Sequence, residues 1–206
     1  KKFKDIKNWT RAEVLKDFKF YIISLNMLSM PWIVTGVFIY QSFIAESKLW
    51  GSYIIPQSFM IYSVTSILTL IASGFLVDKF TSRKLIPLMN IPLLFGLIVL
   101  YFFDISYSAY LFFGLMGVSN GLANVLGSST WAEIYGVRYL GAIRALTTAF
   151  MVFSTAFGTA LFGLLIDKGY TIEHIALISI LYISLSLSFL LAIKGSVEPV
   201  NLTKKT

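Results

Sequence analysis

The chain contains no cysteine, a single histidine, and only 13% charged residues in a length of 206. Without cysteine there is neither a disulfide framework nor a thiolate metal site. One histidine also excludes a multi-histidine metal centre, and no metal or cofactor is expected. The shortage of charge excludes most soluble architectures, because an ordinary soluble domain carries about 25% charged residues. Apolar residues make up 57% of the chain and mean hydropathy is +0.78. Lipid is therefore the expected solvent for most of the surface. A net charge of +7 raises nucleic acid as a partner. The placement of the basic residues fits membrane topology better, and no nucleic-acid partner is expected.

Six apolar runs follow one another at about 20–44, 52–77, 85–103, 108–132, 142–166 and 174–193. Each suffices to cross a hydrocarbon core of about 30 Å, which takes about 20 helical residues. Their interiors carry no Asp, Glu, Lys or Arg, only scattered Ser, Thr, Asn and Gly. A core helix of a soluble protein would show a polar stripe at helical spacing. Transmembrane strands would be about half as long and would alternate. The spacing predicts an all-α membrane protein: a linker over 1–19, a six-helix bundle over 20–193 and a tail over 194–206.

The basic residues sort between alternate linkers. Seven precede the first run, Lys79, Arg83 and Lys84 follow the second, Arg138 and Arg144 follow the fourth, and Lys194, Lys204 and Lys205 lie in the tail. Only Lys48 and Lys168 fall on the other side. The positive-inside rule then places both termini in the cytoplasm, as in a multi-pass protein of a bacterial inner membrane. No signal peptide is visible, because the first long apolar run starts behind a charged stretch. The chain opens Lys1-Lys2-Phe3-Lys4 without an initiator methionine, as a piece of a longer protein would. Before the first run, Thr10-Arg11-Ala12-Glu13 reads as a capping box. Val14, Leu15 and Phe18 give the helix it opens one apolar face, as in a short interfacial helix.

The second run ends Gly74-Phe75-Leu76-Val77-Asp78-Lys79, and the fifth ends Gly163-Leu164-Leu165-Ile166-Asp167-Lys168. The two endings lie three helices apart and on opposite membrane faces. Two three-helix units in inverted orientation, a common transporter plan, would produce this echo.

The pattern Gly74-x-x-x-Asp78-Lys79-x-x-x-Arg83-Lys84 resembles the signature loop of the major facilitator superfamily. Asn8-Trp9-Thr10-Arg11-Ala12-Glu13-Val14-Leu15 is similar to the lead-in to that family's seventh helix. Trp131-Ala132-Glu133-Ile134-Tyr135-Gly136, followed by Gly141-Ala142-Ile143-Arg144-Ala145, is similar to the connection between its tenth and eleventh helices. The resemblance covers nearly the whole chain and maps it onto the C-terminal six helices, nearest to bacterial members of the oxalate/formate and monocarboxylate group. It departs at Thr81, where the family loop usually has glycine. The resemblance implies a partner, the N-terminal six-helix half. It also implies that Asp78 with Arg83 forms a latch across the boundary between halves, within the loop of Gly74, Asp78, Lys79, Arg83 and Lys84. The competing reading is a solvated loop charge that only sets topology.

Polar groups inside the runs are the candidates for substrate contact. Asn120 and Asn124 stand four apart on one face of the fourth run. The first run carries Asn26, Pro31 and Thr35, then Tyr40 and Gln41 near its outer end. Pro31 frees a backbone carbonyl and permits a kink. Gln57 and Tyr62 on the second run are rim candidates. The resemblance has the first and fourth helices lining a central cavity. Asn and Ser in membrane helices also serve simply as interhelical glue. Gly117-x-x-x-Gly121 and Ser154-x-x-x-Gly158 read as close-packing pairs, and His174 as an interfacial residue.

No ionisable side chain is expected deep in a span. The other half then supplies any required charge, or the solute is neutral, or transport is uniport. The expected function is the C-terminal half of a secondary or facilitative transporter that moves a small solute, such as a carboxylate, by alternating access. A six-helix scaffold or receptor subunit is the alternative. An intramembrane enzyme is not expected, because the runs hold no Ser–His pair, paired Asp or metal cluster.

Overall fold

The computed structural model describes residues 6–193 and 195. Its helices are α1 (Arg11–Val14), α2 (Phe18–Ile39), α3 (Gln41–Ser47), α4 (Ile54–Lys79), α5 (Ser82–Phe102), α6 (Ser106–Tyr135), α7 (Leu140–Asp167) and α8 (Ile172–Ala192). Among the described residues, α2 and α4 to α8 are the six helices long and apolar enough to cross a membrane. The chain is thus an all-helical, multi-pass membrane protein. The tail beyond Gly195 and the basic residues Lys1, Lys2, Lys4 and Lys194 lie outside the described residues.

Two boundaries differ from the hydropathy pattern. The run over 20–44 is not one helix, since α2 stops at Ile39 and Tyr40 (φ −100°, ψ 25°) separates it from α3. The cause is tertiary. The Tyr40 hydroxyl donates to the Thr159 carbonyl at 3.2 Å and its ring stacks on Phe162. The fifth span, α7, starts at Leu140, so Arg144 lies one turn inside it rather than in a linker.

The capping box is present at α1. The Glu13 amide donates to the Thr10 hydroxyl at 3.4 Å, and the Thr10 amide donates back to the Glu13 carboxylate at 2.8 Å. The Lys7 ammonium bonds this carboxylate at 2.7 Å. That bond, with those from the Thr10 amide and hydroxyl, lowers the Glu13 pKa to about 2. The apolar face is divided: Val14 is buried, whereas Phe18 is 71% exposed.

The helix ends gather in two clusters. At one, the buried Lys48 ammonium bridges Asp104 at 2.6 Å and Glu173 at 2.7 Å, tying together the starts of α6 and α8 and the end of α3. The Trp50 indole N–H donates to the Asp104 carbonyl at 3.1 Å. At the other, the Trp9 amide donates to the Tyr135 carbonyl at 2.9 Å and the Tyr135 hydroxyl to Asp17 at 3.0 Å. Glu133, near the end of α6, accepts from the Ser82 amide (2.9 Å), the Ser82 hydroxyl (3.1 Å) and the Arg83 amide (3.2 Å). A carboxylate on the orphan amides of a helix start satisfies them and complements the helix dipole.

In lipid, apolar area gives helices little reason to associate, so close packing and hydrogen bonds must do it. Gly121 of α6 sits against α4: a Cβ there would come within 2.6 Å of the Ser66 carbonyl, and Gly117 is equally tight against Thr65 and Tyr62. Gly158 of α7 abuts the Trp32 backbone of α2, and the Ser154 hydroxyl one turn earlier donates to the Leu28 carbonyl at 3.0 Å. Both small-residue pairs are packing devices. Elsewhere the Leu93 amide donates to the Ser119 hydroxyl at 2.8 Å, and the Asn90 side chain donates to the Asn26 carbonyl at 2.7 Å. The principal contacts pair α4 with α6, α7 with α2, α5 with α6, α8 with α2, and α5 with α8. Only 11% of the α4 span and 22% of the α7 span is buried within the chain, against 56% for α2.

Candidate functional site

A cleft of about 540 Å³ opens between α2, α6 and α7. Each helix lines it with residues at helical spacing. From α6 come Asn120, Ala123, Asn124, Gly127, Ser128 and Trp131. From α7 come Arg144, Thr147, Thr148, Met151, Val152 and Thr155, in the same register of i, i+3, i+4, i+7, i+8, i+11. From α2 come Ser24, Met27, Leu28, Pro31, Val34 and Thr35. Spacings of three and four keep side chains on one face of a helix, so each helix turns a continuous stripe to the cleft.

The structure brings Asn120, Asn124 and Pro31 together in this cleft. Asn120 is half-buried and donates one N–H to the Ser66 hydroxyl at 2.8 Å. Asn124 is exposed and donates one N–H to the Asn120 carbonyl at 2.8 Å. Each side-chain amide has a second N–H and its oxygen for a ligand. Pro31 sits inside α2. It has no amide hydrogen for the carbonyl four residues back, that of Met27, which also lines the cleft.

The remaining candidates lie elsewhere. Tyr40 packs on the C-terminal half of α7, with its hydroxyl over Gly163. Gln41 lines a separate shallow depression with Glu46, Trp50 and Pro56. Gln57 accepts from the Tyr110 hydroxyl on an exposed surface between α4 and α6. Tyr62 is half-buried and meets Phe38 edge to face at 5.2 Å. Gly74, Asp78 and Lys79 lie in the last turns of α4, with Asp78 and Lys79 exposed. Arg83 and Lys84 open α5. Between them Thr81 adopts φ 53° and ψ 137°. His174 shares a hydrogen bond of 3.0 Å with Thr171 at the start of α8.

Arg144 escapes a reading by hydropathy because its charge sits at the edge of an apolar run and looks topogenic. The available signal is the polar stripe it heads, Arg144, Thr147, Thr148 and Thr155 at helical spacing. No protein-family model and no curated protein matches the chain.

Proposed function

We propose that the chain is one six-helix half, corresponding to the C-terminal half, of a transporter of the major facilitator type. It moves a small solute by alternating access, and the cleft between α2, α6 and α7 is its share of the substrate site. The carrying observation is the packing pattern. Exchanging α2 with α6, α4 with α7 and α5 with α8 turns each principal helix contact into another of the same set. Two three-helix units related by a pseudo-twofold axis have this property.

Three further features support the reading. The echoed Asp-Lys pairs end α4 and α7, which the exchange interchanges. Thr81, where the resemblance expects glycine, has the positive φ that glycine adopts freely. The two least buried spans, α4 and α7, expose Met60, Ile67, Phe75, Phe153 and Phe157. In this reading those faces meet the other half, and the loop from Gly74 to Lys84 works as the latch at that boundary.

The test is solute uptake into proteoliposomes, first with this chain alone and then with it joined to a second six-helix unit. The chain alone gives no uptake. The joined protein gives saturable uptake, slowed tenfold or more by Asp78→Asn. Saturable uptake by the chain as a monomer overturns the assignment as a half, and unchanged uptake by Asp78→Asn overturns the latch.

A further inference from the structure

We infer that the cleft takes an organic anion with an apolar body, its acid group held at Arg144 and its body among methionines. The inference rests on the transporter reading and names the substrate class of that site. Arg144 is the one ionisable side chain among the described residues that line the cleft. No carboxylate lies within ion-pair distance of its guanidinium among the described residues. A planar guanidinium with five N–H donors is matched to a carboxylate or another oxyanion. Among the described residues no acidic group faces it across the cleft, so a cationic solute finds no counter-charge there.

The rest of the lining sets the body of the ligand. Met27, Met30, Met89 and Met151 line the cleft, four of the six methionines in the chain. Thioether side chains are polarisable and adjust their shape to apolar ligands of different outline. The Thr148 hydroxyl can donate to a ligand, Thr147 and Ser128 donate to the Arg144 and Val125 carbonyls and offer only lone pairs, and Asn120 and Asn124 supply amides further along. A dianion as small as oxalate leaves most of 540 Å³ empty. Pockets of this volume suit a ligand with a ring or a short chain.

An arginine near a helix end can instead hold a lipid phosphate, so the experiment separates the two sources of anion. Binding of radiolabelled benzoate is measured by equilibrium dialysis to the chain in phosphatidylcholine nanodiscs. Benzamide serves as the neutral isostere, oxalate as the small dianion, and phosphatidylglycerol as a lipid competitor. The expected result is saturable benzoate binding that weakens about tenfold or more in Arg144→Gln. Arg144→Lys retains most of it, and Arg138→Gln, in the neighbouring linker, changes nothing. Benzamide affinity is the same in the native chain and Arg144→Gln, while Met151→Ser weakens both aromatic ligands. Equal benzoate affinity in the native chain and Arg144→Gln overturns the proposal. So does oxalate binding more tightly than benzoate, or an Arg144 effect confined to phosphatidylglycerol retention. Benzoate binding without uptake by the joined protein overturns the transporter reading and leaves the ligand class standing. Saturable uptake of a neutral solute without benzoate binding does the reverse.

Discussion

Replacing Thr81 with glycine should make the protein more stable, against the usual direction for a substitution to glycine. Thr81 has φ 53° and ψ 137°, outside the helical, extended and left-handed helical regions, and its Cβ is branched. Holding a side chain in such a conformation costs about 1–3 kcal/mol. The Thr81 hydroxyl is also buried without a hydrogen-bond partner among the described residues, a further cost of about 1 kcal/mol or more. Glycine removes both penalties and returns about 0.5–1 kcal/mol through the extra freedom of the unfolded chain. The balance is a gain of about 1–3 kcal/mol, or a rise of about 3–10 °C in Tm for a chain of this size. The assay is thermal unfolding in detergent, followed by tryptophan emission. Thr81→Ala separates the two causes, since it removes the hydroxyl but keeps a Cβ at positive φ. It should recover less than half of the gain. A Tm for Thr81→Gly at or below that of the native chain, or equal gains from alanine and glycine, refutes the argument from backbone strain.

Glu133→Ala should cost about 2–4 kcal/mol and Glu133→Gln about half as much, because two amides at the start of α5 lose a charged acceptor. An alanine variant that melts with the native chain removes the capping role. Gly158→Ala should lower Tm through its clash with the Trp32 backbone, whereas Gly127→Ala, which meets open space, should be neutral or slightly stabilising. Equal melting of the two variants contradicts the packing seam. Lys48→Met should cost about 1–3 kcal/mol, below the usual figure for a broken buried pair because Asp104 is 76% exposed; a neutral result shows the clamp to be unimportant. The Glu13 carboxylate, held at about 2 against an ordinary 4.5, is lowered on folding. Its contribution to the α1 cap is therefore complete above about pH 4.5 and is lost as pH falls through about 2. A carboxyl titration by NMR with a midpoint near 4.5 contradicts this.

The spans were legible because lipid imposes a simple rule: charge stays out over about 20 residues. The α1 start was equally legible, since Thr10 and Glu13 are a local code. The break at Tyr40 was not, because no glycine or proline marks it and its cause lies on α7, at Thr159 and Phe162. At the cleft, Asn120, Asn124 and Pro31 stood out as polar or helix-perturbing residues in apolar runs. Arg144 did not, because an arginine at the end of a run has the same sequence signature whether it faces headgroups or a cleft. Only the rotation of α7 distinguishes the two, and its register is set by Gly158 against Trp32 and by Ser154 against Leu28. Nor does any local pattern mark Glu133 as the cap of α5, because its partners Ser82 and Arg83 belong to another helix.

The glycine seams and the cleft stripes share a face of each helix but occupy different turns along it. On α6, Gly117 and Gly121 meet α4, while Asn124 and Ser128 face the opening; on α7, Gly158 meets α2, while Thr148 and Val152 face it. The glycines that set the distance between helices are thus separate from the residues that line the cleft. Selection can redraw the chemistry of the opening one side chain at a time without disturbing assembly. On the transporter reading, a lineage built on this scaffold can drift from one cargo to another while the bundle stays constant.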